Sequence, residues 1–326
     1  METVRRADMR TRHSFAVAFA LAFGASSTAY AQDYPSRVIR VIVGPGPDIT
    51  ARLAGAKITE ALGQQVVIEP RPGAGGTIAA QAVAGAPPDG YSLLLATASY
   101  TINTAMAQGP VDLGRDFAPI GLISTVPFVL VVHPSVPAKS LAELIALAKA
   151  NPGKLNYASS GIGTPPHLAG ELFKSMAGVD VVHVPFREAN SALNAVVSGS
   201  VEMMFSIAST ATAQIDGGKV RGIAVTSPKA SPLVPGLPAI AEQGLAGFSV
   251  MGWNGFVAPK GTPAPIIDKL SGVLQRGLDE ADLRQRLVAA GYEPATRNSP
   301  DDFARFIAAD TAKWVTLVEK TKMKRQ

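Results

Sequence analysis

The sequence predicts a two-lobed α/β fold with a cleft between the lobes. Three observations carry this expectation. Short β-branched runs alternate with helical patterns, the order that builds parallel sheets with helices on their faces. The alternation runs from Val38 to Thr97 and starts again after Pro119. The roughly 295 residues that follow an N-terminal leader are more than one hydrophobic core usually serves.

The leader comes first. Arg5, Arg6, Arg10 and Arg12 precede the apolar run Phe15 to Ala25, and small residues continue to Ala29-Tyr30-Ala31. Basic residues, a short apolar stretch and a small-residue cleavage site make an export signal, so residues 1–31 are expected to be removed after Ala31 and the mature chain to reside in the periplasm. The apolar run is short for a bilayer, and no later segment approaches the ~20 apolar residues of a spanning helix.

VIRVIV then reads as a strand, ITARLAGAKITEAL as a helix, QVVIE as a strand, GTIAAQAVAGA as a helix and YSLLLAT as a strand. This βαβαβ order places ligands at the carboxyl ends of the strands. After Pro119 a long apolar run, IGLISTVPFVLVVHP, leads to the helix SLAELIALAKANPG, closed by Asn-Pro-Gly. LNYASSG is a strand and loop, and PPHLAGELFKSMAG a helix with proline at its start. VDVVHVPF, ANSALNAVVSGS, VEMMFS and VRGIAVTS continue the alternation. Residues 227–247 are proline-rich and irregular, SVMGWNGFVAPKG is extended, and Ala264 to Gly291 and Pro300 to Lys320 are amphipathic helices. The first lobe is thus expected at 34–129 plus 253–326 and the second at 130–252, with two crossings forming a hinge.

Composition narrows the function. The chain has no cysteine, which removes disulfides, thiolate metal sites and cysteine nucleophiles. A net charge of +5 is modest, and the only dense basic run is the tail Lys320 to Gln326, so nucleic-acid binding is not expected. No GxSxG elbow or phosphate-loop lysine motif occurs, and GPGPDI, GAGGTI and GIGTPP each lack the last glycine of a dinucleotide fingerprint. His133, His167 and His183 stand far apart in sequence without carboxylates at ligand spacing, so no metal, cofactor or catalytic residue is expected; His133 and His183 read as structural.

Four loops at predicted strand ends remain: Gly44 to Pro47 with Asp48 as a helix cap, Ala96 to Tyr100 with the hydroxyls of Thr97 and Ser99, Tyr157 to Ala169, and Phe205 to Ser209. Small residues let backbone N–H groups approach a ligand, and hydroxyls donate to an anion without bringing charge. One such loop is ordinary turn chemistry; four facing one cleft favour binding of a polar organic anion. RPGAGG (Arg71 to Gly76) reads as the close-packed start of a helix, on a strand away from the cleft.

These residues resemble the solute-binding receptors of tripartite tricarboxylate transporters, the Bug family of exported bacterial proteins. The resemblance rests on YPSRVIRVIV, DITARL, LGQQVVIEPRPGAGGTIAAQAVAGAPPDGYSLLLAT, DFAPIGLI, the stretch from Val129 to Phe186, and GFVAPKGTPAPIIDKL. It implies a type II periplasmic binding protein with a central sheet in each lobe and a two-strand hinge. It further implies a small organic carboxylate held at Gly44, Pro45, Gly46, Thr97, Ser99, Ser159, Gly161, Gly163 and Thr164, and membrane permease subunits as partners of a monomeric receptor. A receptor feeding a membrane sensor kinase is the alternative. Two departures stand out: four residues separate Val43 from Asp48 where relatives have about eight, and Ser206 stands where they commonly carry aspartate.

Overall fold

The computed structural model describes residues 34–44, 48–73, 76–106 and 110–321. The leader, its cleavage site, Pro45, Gly46 and the end of the basic tail lie outside the described residues. Strand β1 (Ile39–Val43) is flanked in parallel by β2 (Val66–Pro70) and β3 (Ser92–Thr97), with α1 (Ile49–Leu62) and α2 (Thr77–Ala84) as the crossovers. Helix α3 (Ala98–Ala105) and the short α4 (Leu113–Asp116) lead to β4, Phe117–Val132.

The organisation of the molecule follows from β4, which is 16 residues long and serves two sets of partners. Its first part, Phe117 to Pro127, pairs antiparallel with β9 (Met251–Pro259), which pairs in turn with β3. Its last part, Phe128 to Val132, pairs with β7 (Met203–Ile207) and, from Val129, with β8 (Arg221–Val225). Beyond β7 lie β5 (Asn156–Ser159) and β6 (Val182–Pro185), both parallel to their neighbours. Partners change at Pro127, a residue with no N–H to give to a ladder, so the sequence marks the place where one sheet ends and the next begins.

Helices α5 (Leu141–Ala150), α6 (Pro165–Ala177), α7 (Ala189–Val197) and α8 (Ala208–Asp216) cover the second sheet. The predicted helix Ala264 to Gly291 is two: α9 (Ala264–Asp279) and α10 (Ala281–Ala289), separated by Glu280 in an extended conformation. Ile266, Ile267, Leu270, Val273, Leu274 and Leu278 make a continuous buried stripe on α9, packed in one cluster with Ile58 of α1 and Val41 of β1. A two-residue strand, β10 (Glu293–Pro294), adds to β4, and α11 (Pro300–Thr321) closes the chain.

Helix α11 joins the halves. Phe303 and Ile307 pack in the cluster of Trp253 and Val257, whereas Trp314, Leu317 and Val318 pack with Phe128, Phe173 and Phe205 of the second half. Asp310, buried between these stretches, accepts hydrogen bonds from Thr101 Oγ1 (2.7 Å), Trp253 Nε1 (2.9 Å) and Trp314 Nε1 (3.1 Å), and Lys313 Nζ lies 2.8 Å from its other oxygen. Three donors and a cation satisfy a carboxylate that would otherwise be costly to bury.

Candidate functional site

Strand register alone brings the two halves' carboxyl ends together. Val43 is level with Pro70 and Leu95, so β1, β2 and β3 finish at one edge. Thr97 lies opposite Asn254, and Asn254 opposite Ser124. In the second half Ser159 is level with Pro185, and β7 ends at Ile207, opposite Phe128. The end of β3 is thus level, across β9, with Ser124 of β4, and the end of β7 with Phe128, positions about 13 Å apart along β4 at ~3.3 Å per residue. On one flank the halves touch: a Cβ on Gly291 would lie 2.5 Å from Cβ of Ser209, and the Ser231 hydroxyl donates to the Glu293 carboxylate.

In the second half the loop between β5 and α6 spans Ser160 to Thr164 and is tied by its own side chains. Ser159 Oγ accepts from the Gly161 N–H (3.1 Å) and lies 2.6 Å from His183 Nε2. Thr164 Oγ1 donates to the Gly161 carbonyl (2.7 Å), and the Gly163 N–H donates to His167 Nδ1 (3.2 Å), which leaves the His167 proton on Nε2. Gly161 has φ +121° and Gly163 φ +77°, backbone that side chains rarely adopt. Ser159 is fully buried and faces this network.

The histidines are not apart. The His167 and His183 rings lie 4.2 Å centroid to centroid, and His183 stacks on Tyr157 at 4.8 Å. Tyr157 Oη donates to Glu171 at 2.7 Å. Burial, and then the neighbouring His167, lower the His183 pKa to about 4, and burial lowers that of His167, so both rings are neutral and brace the loop through hydrogen bonds. Sequence spacing missed this pair because the β5–β6 crossover, not the local chain, brings it together. His133 sits elsewhere, bonded to Ser135.

Two of the four expected loops are not loops. Helix α3 begins at Ala98, so Ser99 and Tyr100 occupy its first turn, and Thr97 is the cap position but makes no side-chain cap bond. Strand β7 runs through Ser206 to Ile207 and α8 begins at Ala208; small residues let strand and helix join directly. Ser206 Oγ lies 3.2 Å from Thr210 Oγ1. Asn254, which sequence reading passed over inside an apolar strand, is buried and donates to Ser124 Oγ at 3.4 Å.

At the first half's edge Gly44, Gly76 and Tyr100 meet. A Cβ on Gly44 would lie 2.8 Å from Tyr100 Oη and 3.2 Å from Gly76 Cα; one on Gly76 would lie 2.9 Å from the same oxygen. Gly76, at the start of α2, thus lies beside the end of β1, while β2, the strand before it, is at the far edge of the sheet from β4. Tyr100 Oη is buried with no hydrogen-bond partner among the described residues, as is Thr50 Oγ1 in the first turn of α1. Asp48 caps α1 by position, yet its carboxylate is engaged by Arg52 at 2.6 Å. Two surface hollows of about 430 and 420 Å³ lie elsewhere, beside Gln275 and Asn298 and beside Lys149 and Met176, and neither reaches these strand ends.

Two α/β halves joined through shared strands, with neutral donors at their facing ends, define a two-lobed type II periplasmic binding protein. The model of the tripartite tricarboxylate transporter family receptor matches residues 50–323, and the chain belongs to that family. Three solved structures show the same fold. R. palustris Rpa4515 with adipate is 33% identical, with a TM-score of 0.79, over 89% of this chain and 99% of that one. The periplasmic binding protein BugD is 34% identical, with a TM-score of 0.76, over 89% and 99%. MatC (Rpa3494) from Rhodopseudomonas palustris with bound malate is 33% identical, with a TM-score of 0.76, over 87% and 100%. The chain is a solute-binding receptor of this family, and among the described residues no helix is long and apolar enough to cross a membrane.

Proposed function

We propose that this receptor captures a small organic carboxylate between the lobes 34–129 plus 253–326 and 130–252 and delivers it, as an exported monomer freed of residues 1–31, to the permease subunits of a tripartite transporter. The observation that carries this reading is the convergence, across β9 and β4, of strand and helix ends that bear uncharged polar groups: Thr97, Ser99 and Asn254 from one half, and Ser206 from the other, with Thr164 holding the loop beside it through the Gly161 carbonyl. Neutral hydroxyl and amide donors hold an anion without the desolvation cost of burying a counter-charge. The relatives with adipate and with malate support the ligand class. Gly44, Pro45 and Gly46 complete the first half's contribution, and Gly161 and Gly163 shape the wall against which the ligand packs, their N–H groups being held by Ser159 and His167.

The Ser159–His183 contact is read as support for the loop, not as a catalytic pair. Its oxygen is buried among loop contacts, and no carboxylate is bonded to the other nitrogen of His183 among the described residues. A fluorophosphonate probe is expected to leave Ser159 unlabelled, and labelling there would make the chain a hydrolase. The binding reading itself is tested by thermal shift and native mass spectrometry with adipate, malate and benzoate. One acid should bind one to one and raise the melting temperature. No shift and no adduct with any of them at millimolar concentration would overturn it.

A further inference from the structure

Tyr100 is a side chain at the cleft edge whose hydroxyl the described fold leaves unused. Its ring packs with Ala79, Ala80 and Leu94 of the first half, a task phenylalanine would perform equally well. The hydroxyl is what needs explaining. It is buried, it has no partner among the described residues, and an unpaired buried donor is destabilising. The backbone has been cleared around it on two sides: a side chain at Gly44 or Gly76 would overlap the oxygen, at 2.8 and 2.9 Å. Gly76 also has φ +99°, but Gly44 has no such conformational need, and its lack of a Cβ answers to Tyr100 Oη first, at 2.8 Å, and to the Gly76 Cα next, at 3.2 Å. Both glycines lie where β1 ends and α2 begins, a place where the helix end favours negative charge. Burial raises the phenol's pKa, so the oxygen keeps its proton and is a donor at any physiological pH.

We propose that the Tyr100 hydroxyl is a ligand-contacting donor of the first half, giving its hydrogen bond to a carboxylate oxygen of the solute at the edge formed by Gly44 and Gly76. This rests on the carboxylate reading above and names the residue through which the first half selects the anion. It assigns to a phenol a role that the short segment between Val43 and Asp48, with its two prolines, is poorly equipped to fill, since proline has no N–H to donate.

The test compares the full-length mature protein with its Tyr100→Phe variant, using the acid of the adipate, malate and benzoate panel that binds wild type most tightly. Loss of a hydrogen bond to a charged group should weaken binding about tenfold or more by calorimetry. The melting temperature without acid should stay level or rise, because an unpaired buried hydroxyl has been removed. A purely structural tyrosine gives the reverse, a lower melting temperature with unchanged affinity, and that result overturns the proposal. Should the variant fold poorly, wild-type protein labelled with ¹³C at the tyrosine Cζ gives a second readout: the Tyr100 resonance moves at saturation if its hydroxyl bonds the acid, and an unmoved resonance overturns the proposal. If wild type binds none of the acids, the carboxylate reading falls and this inference with it; if wild type binds and Tyr100→Phe binds equally, only the inference falls.

Discussion

The two sides of the cleft are finished differently. In the second half the Ser159–Thr164 loop is bonded to itself and to a pair of neutral histidines: Ser159 holds Gly161, Thr164 holds the Gly161 carbonyl, and His167 holds the Gly163 N–H. In the first half two buried hydroxyls, Thr50 Oγ1 and Tyr100 Oη, have no partner among the described residues. A loop that already satisfies its own groups is a preformed surface, and its geometry does not wait for a ligand. Orphan donors at the opposite edge carry a cost that a ligand can relieve. The difference teaches that shape is stored in one half and unspent hydrogen bonding in the other.

The comparison breaks most severely if the first half's edge collapses, and Asp310 is what holds it from behind. Asp310→Ala would strand the indole N–H groups of Trp253 and Trp314 in the core, while the Thr101 hydroxyl keeps the Ala98 carbonyl. We expect a loss of about 3 kcal/mol in urea unfolding. A loss under about 1 kcal/mol would show that the network is dispensable and that the edge is held by apolar packing alone.

The preformed loop is next. Gly161→Val forces a β-branched residue into φ +121°, a strain of roughly 1–3 kcal/mol confined to the loop. Carboxylate affinity should fall at least about tenfold while circular dichroism stays native. Native affinity in a folded variant would remove the loop from the site.

A smaller effect comes from acid. Free histidine titrates near 6.5, whereas His183, facing His167, Glu171 and Lys174, is held at about 4 by burial and by His167. The unfolded chain therefore binds protons that the folded chain refuses, so this contribution is complete above pH 6.5 and is lost as pH falls from 6.5 toward 4. With the ring partly open to solvent, the loss is of order 1 kcal/mol. Urea unfolding at pH 7 and pH 5 should show it, and His183→Gln should flatten the dependence. An equally steep profile in the variant would assign the acid sensitivity to other groups.

Much of this was legible in the chain. β-Branched runs and helix stops gave the order of elements, whereas the run after Pro119 read only as long and apolar, and its service to two sets of partners shows in the strand register alone. What escaped depended on contacts distant in sequence. His167 and His183 are 16 residues apart with no ligand pattern between them, and they meet because His167 lies in the first turn of α6, the crossover that returns the chain from β5 to parallel β6. Asn254 hides in GWNGF because a period-two reading does not say what lies across the sheet. Ala96–Tyr100 and Phe205–Ser209 read as loops because their small and hydroxyl residues suit turns and helix starts alike, and the helix won at both places.

The central claim, that one solute bridges both sides, is tested most directly by amide hydrogen exchange with and without the tightest-binding acid. Slower exchange at the start of α2 and in α3 around Tyr100, together with slower exchange in Ser160–Thr164, is the result expected of a ligand that spans the cleft. Protection at only one of these places, or at the hollow beside Gln275 instead, would contradict it.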